Sequence, residues 1–358
     1  MKNICIITPS IGKYSETFIQ NQIDYLPFNK KIVTTGIGEL ADENGTPLAA
    51  LNFISKLRRF IGRKLLNKNF ESQQNKLLAK YLIKNKVEHV LFQYGTTAKV
   101  GYGACVMANI PYTVHFHGYD AYTYLFDRKY YEHVLKYAKN VIVVSDHMKN
   151  KLISLGGNQK SIKIIPYGSN FSTKEPFNSK QKKTNTKFLA VGRFVEKKAP
   201  YITILAFSEA LKVKNDITLD MIGDGDLLNL CKDIVKGLGL NNEIKFHGSC
   251  NHEMVRKMMH ECDYFIQHSK IASSGDSEGL PNAIIEALNM RKPVISTFHS
   301  GIPEIVKDGV NGFLSEELDI QGMANNIIDS TNHNFSFSEM KFLKLENSIK
   351  QLTDVLNG

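Results

Sequence analysis

Two sets of short apolar runs, five in each half and separated by helical patterns, constrain this chain more than any other feature. In the first half they are NICIIT (3–8), KIVTT (31–35), HVLFQY (89–94), YTVHFH (112–117) and NVIVVS (140–145). The second half repeats the grammar with KFLAVG (187–192), ITLDMIG (217–223), EIKFHG (243–248), YFIQHS (264–269) and KPVIST (292–297). Continuous rather than alternating apolar runs suit parallel strands covered on both faces. Helical spacing in QNQIDYL, 71–86 and 121–138 fills gaps in the first half. The expected fold class is α/β, with two Rossmann-like doubly wound domains facing across a cleft. Ligands are expected at the carboxyl ends of the strands and in that cleft.

A length of 358 residues suits two such domains. The polar, lysine-rich stretch STKEPFNSKQKKTNTK (172–187) has no hydrophobic periodicity and reads as the linker. The expected division is a first domain over 1–171, the linker, a second domain over 188–335, and a terminal helix over 336–358 that packs back across the first domain. No apolar run is long enough to cross a bilayer, and the four-residue apolar run near the N-terminus is too short for a signal-peptide core. The five cysteines are scattered without a CxxC spacing, so neither a disulfide framework nor a zinc site is expected, and a cytoplasmic location is.

The net charge of +10 asks for an anionic partner: nucleic acid, acidic lipid or a phosphorylated substrate. Residues 51–70 carry Lys56, Arg58, Arg59, Arg63, Lys64 and Lys68 with no acidic residue, interleaved with apolar residues at helical spacing. Two readings stand: an interfacial helix on an anionic membrane, or a core-packed helix with a basic solvent face.

Three glycine pairs imitate a dinucleotide fingerprint: Gly36 with Gly38, Gly101 with Gly103, and Gly223 with Gly225. None has the full pattern, and turn glycines explain them, which disfavours a nicotinamide enzyme. VGRFVEKKAP (191–200) places Arg193 and Lys198 just after a strand, where a guanidinium fork and an ammonium can hold phosphate oxygens or simply face water. HFHGYD (115–120) ends a strand with His115, His117 and Asp120 around a glycine. One of these histidines can meet a reacting sugar, or both can be core histidines satisfied by backbone. No carboxylate cluster at metal-ligand spacing accompanies them, and no metal or cofactor is expected. TPSIGKYSETFIQNQI (8–23) is a strand–loop–helix with Gly12 in the loop and Ser15 as a possible N-cap.

SGDSEGLPNAIIEAL (274–288) sets Glu278 and Glu286 around a Gly279-Leu280-Pro281 turn. The two acids can decorate a helix dipole. They can instead accept hydroxyls on either side of a phosphate cradled by the free amides of the turn.

Taken in order, these residues resemble glycosyltransferase family 4, retaining enzymes of the GT-B fold. The resemblance rests on Glu278-Gly-Leu-Pro…Glu286 with KPVIST and HSGIPEIVKDGVNGFL after it. It also rests on GRFVEKK, IGDGDLL, FHGSCNHEMV, HFHGYD, VSDHMKNKL and IPYGSN. It is strongest over 187–314. It implies that Arg193 and Lys198 bind the pyrophosphate of a UDP- or GDP-sugar and that Glu286 takes the ribose. Glu278 would take the sugar hydroxyls, the backbone of Gly279, Leu280 and Pro281 would meet phosphate, and His117 would sit beside the sugar. Gly12 and Glu304 are secondary candidates. Ala199 stands where the family usually has glycine, and Ser169-Asn170 where it has Val-Asp. SETFIQN resembles the branch that builds bacterial exopolysaccharide, capsule or lipopolysaccharide. The implied partners are a glycan or lipid-linked acceptor and an anionic membrane surface rather than nucleic acid. Competing classes are a nucleotide-sugar epimerase on the same fold and a non-catalytic basic membrane-binding module, which has no use for ordered carboxylates.

Overall fold

A computed structural model of the chain describes residues 1–12, 16–36, 40–48, 67–123, 129–173, 185–338 and 340–358. Arg58, Arg59, Arg63 and Lys64 of the basic stretch, Ser15, and most of the 172–187 linker lie outside these residues. The chain divides into two compact units. One comprises Met1–Val144, Lys149–Ile165 and Ile349–Gly358; the other comprises Ser145–Met148 and Pro166–Ser348. Among the described residues no helix is long and apolar enough to cross a membrane.

In the first unit the strands are β1 (Asn3–Thr8), β2 (Asn29–Thr34), β3 (Ala41–Asp42), β4 (His89–Gln93), β5 (Tyr112–His115), β6 (Asn140–Val143) and β7 (Ile162–Ile164). Their order across the sheet is β3-β2-β1-β4-β5-β6-β7, and only the β2–β3 pair is antiparallel. Ile4, Ile6 and Ile7 are fully buried, as are Val90, Leu91 and Phe92, because helices cover both faces of the sheet. The last helix, Leu345–Asn357, places Leu352 and Leu356 in a cluster with Ile4, Ile6, Leu26, Phe28, Leu91, Ile142 and Ile165. This helix starts later than residue 336. The stretch before it is held in the second unit, where Phe335 packs 5.2 Å from the Phe313 ring and 6.3 Å from that of Tyr264.

The second unit holds β8 (Thr186–Val191), β9 (Ile217–Ile222), β10 (Ile244–Gly248), β11 (Tyr264–Ile266), β12 (Val294–Thr297) and β13 (Gly312–Ser315). Their order is β10-β9-β8-β11-β12-β13, with every pair parallel. Helices Pro200–Leu211 and Ile320–Ser330 bury Ile204, Phe207, Met323 and Ile327 against Phe188, Leu219, Ile266 and Ile295. In both sheets the chain runs outward along one side and then returns to the other. The strand order therefore reverses beside β1 and β4 in the first unit and beside β8 and β11 in the second.

Helices Gly95–Ala108 and Asp146–Ser154 were not among those expected. Gly95–Ala108 contains Gly101 and Gly103, so this pair consists of helix-packing residues rather than turn residues. At Gly101 a β-carbon would lie 2.7 Å from the Phe92 ring, so the absent side chain lets the helix settle onto β4.

Candidate active site

The switch point of the second sheet gathers the residues that the sequence pointed to there. After β8 ends at Val191 the chain passes Gly192 and Arg193 and makes a single turn at Glu196–Lys198. After β11 ends at Ile266 come Gln267 and His268. Lys198 Nζ donates to Gln267 Oε1 at 3.2 Å, joining the two strand ends. Ligands of open α/β sheets bind at such a reversal. Gly223 explains how the loops fit together. It has φ +141°, and a β-carbon there would collide with the Gly192 carbonyl, so the β9 loop lies directly on the backbone that leads to Arg193. The IGDGD glycines therefore serve close backbone contact.

Residues 196–198 hold successive parts of the segment carrying Glu278. Glu196 accepts from the Ser273 amide at 2.8 Å, the Ser273 hydroxyl at 2.7 Å and Lys270 Nζ at 3.0 Å. Lys197, 6% exposed, donates to Asp276 Oδ1 at 3.0 Å and to the Ser277 carbonyl at 3.3 Å. Lys198 Nζ lies 3.2 Å from Glu278 Oε1, and Lys197 Nζ lies 4.0 Å from the same oxygen. Burial pushes the Glu278 carboxyl up, but Lys197 and Lys198 together hold it down at about 2. The Lys198 ammonium is pulled below its usual range, by burial first, with Glu278 opposing. Arg193 is exposed and makes no ion pair among the described residues. One site thus holds a buried anion, its cation and an unengaged guanidinium.

Gly279, Leu280 and Pro281 are buried and lead into helix Asn282–Asn289, whose N-cap is Pro281. Glu286 lies on this helix with its Oε1 4.0 Å from His252 Nε2. Burial raises its carboxyl to about 8. A folded pKa above the ordinary value makes the ionised form costly. The stability from the protonated form is complete below about pH 4.5 and is lost as pH rises through about 8. Glu286→Gln is therefore expected to unfold at a higher temperature than the parent at pH 8.5, by a few degrees, with the difference closing at pH 4.5. Scanning calorimetry at the two pH values checks this; equal shifts at both would contradict it.

Ala199 has φ +33° and caps helix Pro200–Leu211 from a left-handed conformation, with no exposed surface. A β-carbon is strained there. Ala199→Gly is expected to stabilise the protein by about 1 kcal/mol, measured as a higher denaturant midpoint. A lower midpoint would contradict the strain.

In the first unit His117 lies just beyond β5 and caps the short helix Gly118–Tyr122. Its Nε2 donates to Gln93 Oε1 at 3.1 Å, Gln93 Nε2 donates to Gln22 Oε1 at 2.6 Å, and Gln22 Nε2 donates to His115 Nδ1 at 3.1 Å. All four side chains are buried. Burial lowers the pKa of His117 well below its ordinary value, and that of His115 to about 3, so both rings are neutral. His117 is thus a fixed hydrogen-bonding surface, with the Phe18, Tyr94 and His115 rings each 4.5 Å from it. Asp120 holds the turn by accepting from the Gly95 amide at 2.6 Å and the His117 amide at 2.7 Å. Gly12, φ +78°, follows the end of β1.

Glu304 is committed to backbone. It accepts from the amides of Asp146 and His147, each at 2.9 Å, and so caps helix Asp146–Ser154. Sequence reasoning missed Lys197, Asp276, Gln22, Gln93, His299 and Glu317. All but Glu317 lie within stretches already singled out, but nothing in their spacing marks them as supports, and the fold is what brings them onto the candidate residues.

Comparison with known proteins fits this geometry. Residues 171–340 match the family described as glycosyl transferases group 1. The amylovoran biosynthesis glycosyltransferase AmsK of Erwinia amylovora is 30% identical over 200 residues, covering 55% of this chain and 48% of that protein. The putative colanic acid biosynthesis glycosyltransferase WcaL of Escherichia coli (strain K12) is 26% identical over 194 residues, covering 54% and 48%. The chain thus spans about half the length of the curated relatives it matches. The lipopolysaccharide outer core galactosyltransferase WaaB, in its apo form, superimposes with a TM-score of 0.73 over 99% of both chains at 16% identity. HepE of Anabaena, solved with UDP and glucose, gives 0.68 over 99% of this chain and 95% of its own at 18% identity. These likenesses establish a shared fold, the GT-B arrangement of parallel-sheet α/β units.

Proposed function

We propose that the protein is a retaining, metal-independent glycosyltransferase. It moves a hexose-type sugar from a UDP- or GDP-sugar to a glycan or lipid-linked acceptor in bacterial exopolysaccharide, capsule or lipopolysaccharide synthesis. The observation that carries this reading is the Lys198–Glu278 pair, at 3.2 Å, placed with Arg193 at the β8/β11 switch point. Cleaving the sugar–phosphate bond puts negative charge on the leaving diphosphate. Lys198, Arg193 and the amides before helix Asn282–Asn289 stabilise that charge, and a site already arranged for it does not reorganise as the bond breaks. As Lys198 turns to the diphosphate, Glu278 is released to accept sugar hydroxyls, and Glu286 accepts those of the ribose. Attack from the face the diphosphate leaves retains configuration, and the departing phosphate takes the acceptor's proton. His117, the family's candidate beside the sugar, is a neutral ring and transfers no proton. The reading also places the protein in the cytoplasm, on the inner membrane surface through the basic 51–70 stretch.

The test incubates the protein with a panel of UDP- and GDP-hexoses, with and without anionic vesicles at low salt. Released nucleoside diphosphate and the anomer of the freed sugar are measured. One donor is expected to release its nucleotide with the sugar's configuration retained, and the protein is expected to sediment with the vesicles. No release from any donor would defeat the enzymatic reading, inversion would defeat retention, and protein left in the supernatant would defeat the membrane assignment.

A further inference from the structure

The backbone amide of Glu278 has a partner outside the donor-binding set. It lies 3.1 Å from Nε2 of His299, a side chain that is 1% exposed. An amide nitrogen can only donate, so Nε2 must carry the lone pair and the His299 proton must sit on Nδ1. Nδ1 is 2.5 Å from Glu317 Oε1, which accepts that proton's hydrogen bond. The other Glu317 oxygen accepts from the Ile271 amide at 3.0 Å. Glu317 therefore fixes the His299 tautomer, and His299 fixes the Glu278 peptide. Gly301, two residues on, strengthens the fit. A β-carbon there would lie 2.5 Å from the Gly279 carbonyl oxygen, so the absent side chain lets the 299–301 turn press against the turn after Glu278.

Ser277 Oγ also lies 2.9 Å from His299 Nε2, so Ser277, His299 and Glu317 imitate the order of a hydrolase triad. The imitation is not a nucleophile. Ser277 is 3% exposed, and its hydroxyl is also held at 2.7 Å by Ser300 Oγ. What the constellation controls is backbone.

We propose that His299 and Glu317 are positioning residues of the donor site, locking the peptide plane of Glu278 and so the aim of its carboxylate. This rests on the nucleotide-sugar reading above. Misaiming a group by about 1 Å can cost about 100-fold in rate, whereas the diphosphate is held by Arg193 and Lys198, which this pair does not touch.

Three measurements on the full chain test it. Long-range proton–nitrogen NMR on histidine-labelled protein is expected to show His299 with its proton on Nδ1, and slow hydrogen exchange at the Glu278 amide. Glu317→Ala is expected to populate the other tautomer, speed that exchange and lower kcat about 10- to 100-fold. Affinity for UDP or GDP, whichever the parent binds, is expected to stay within about threefold. Glu317→Gln keeps an acceptor oxygen and is expected to recover most of the rate. A His299 proton on Nε2 in the parent, or an unchanged kcat in Glu317→Ala, would overturn the proposal. So would a Glu317→Gln variant as impaired as Glu317→Ala. A parent that binds neither UDP nor GDP would overturn the nucleotide-sugar reading instead, and the tautomer and amide exchange would still decide whether His299 locks the peptide.

Discussion

Lys198→Ala is expected to lower turnover about 100- to 1,000-fold, the usual cost of removing one preorganised group that stabilises transition-state charge. The structure adds a second expected effect. Lys198 stands 3.2 Å from the buried Glu278 carboxylate, and its loss leaves that charge with Lys197 at 4.0 Å. Breaking one side of a buried pair costs about 3–5 kcal/mol, and the remaining lysine favours the lower end. The Glu278 carboxyl, at about 2 when folded, contributes stability present above pH 4.5 and lost as pH falls toward 2. The stability deficit of Lys198→Ala is therefore expected to shrink below about pH 4. Lys198→Met combined with Glu278→Gln separates the two effects, because neither buried charge remains. Its unfolding free energy is expected to recover most of the loss while its turnover stays low. If activity returned with stability, Lys198 would be a structural residue.

Asp120→Ala is expected to be strongly destabilising. Asp120 is fully buried and takes up the amides of Gly95 and His117, the first residue of one helix and the cap of another. Two buried amides left unpaired cost about 1–3 kcal/mol each. A loss of about 4 kcal/mol corresponds to a fall of roughly 8–16 °C in Tm for a unit of this size. The turn that carries His117 is also released, so turnover is expected to fall in the fraction that stays folded. Asp120→Asn keeps one acceptor oxygen and is expected to lose about half as much stability. Thermal unfolding followed by circular dichroism measures both; a change below about 1 kcal/mol in the alanine variant would mean that water replaces the carboxylate.

The architecture was legible because its signal is local. NICIIT and HVLFQY are runs that only a doubly covered parallel strand buries, and both became central strands of the first sheet. Helix Gly95–Ala108 stayed hidden because Gly101 and Gly103 serve packing and obscure its period. Strands β7 (IKI) and β13 (GFLS) escaped because a lysine interrupts the first and a glycine and a serine bound the second, leaving no continuous apolar run. In the site, Arg193, Lys198, Glu278 and Glu286 stood out because each sits beside a strand end or a Gly-Pro turn. Their supports did not. His299 is 21 residues from the amide it holds, and Gln22 is 71 from Gln93, so only the fold brings them together. A residue that touches the reacting molecule shares its motif with neighbours, whereas one that positions it can come from anywhere.

Glu286 joins the stability argument to the functional one. Its buried carboxyl costs the free protein stability at high pH, and a ribose diol is the partner that would make that cost useful. Calorimetric titration of the parent and of Glu286→Gln with UDP and with GDP is the most direct test. The parent is expected to bind one of the two nucleotides, and Glu286→Gln to bind it at least tenfold more weakly despite its higher thermal stability at pH 8.5. Parent protein that binds neither nucleotide, or a variant that binds as tightly as the parent, would contradict a nucleotide-sugar site built on the second sheet.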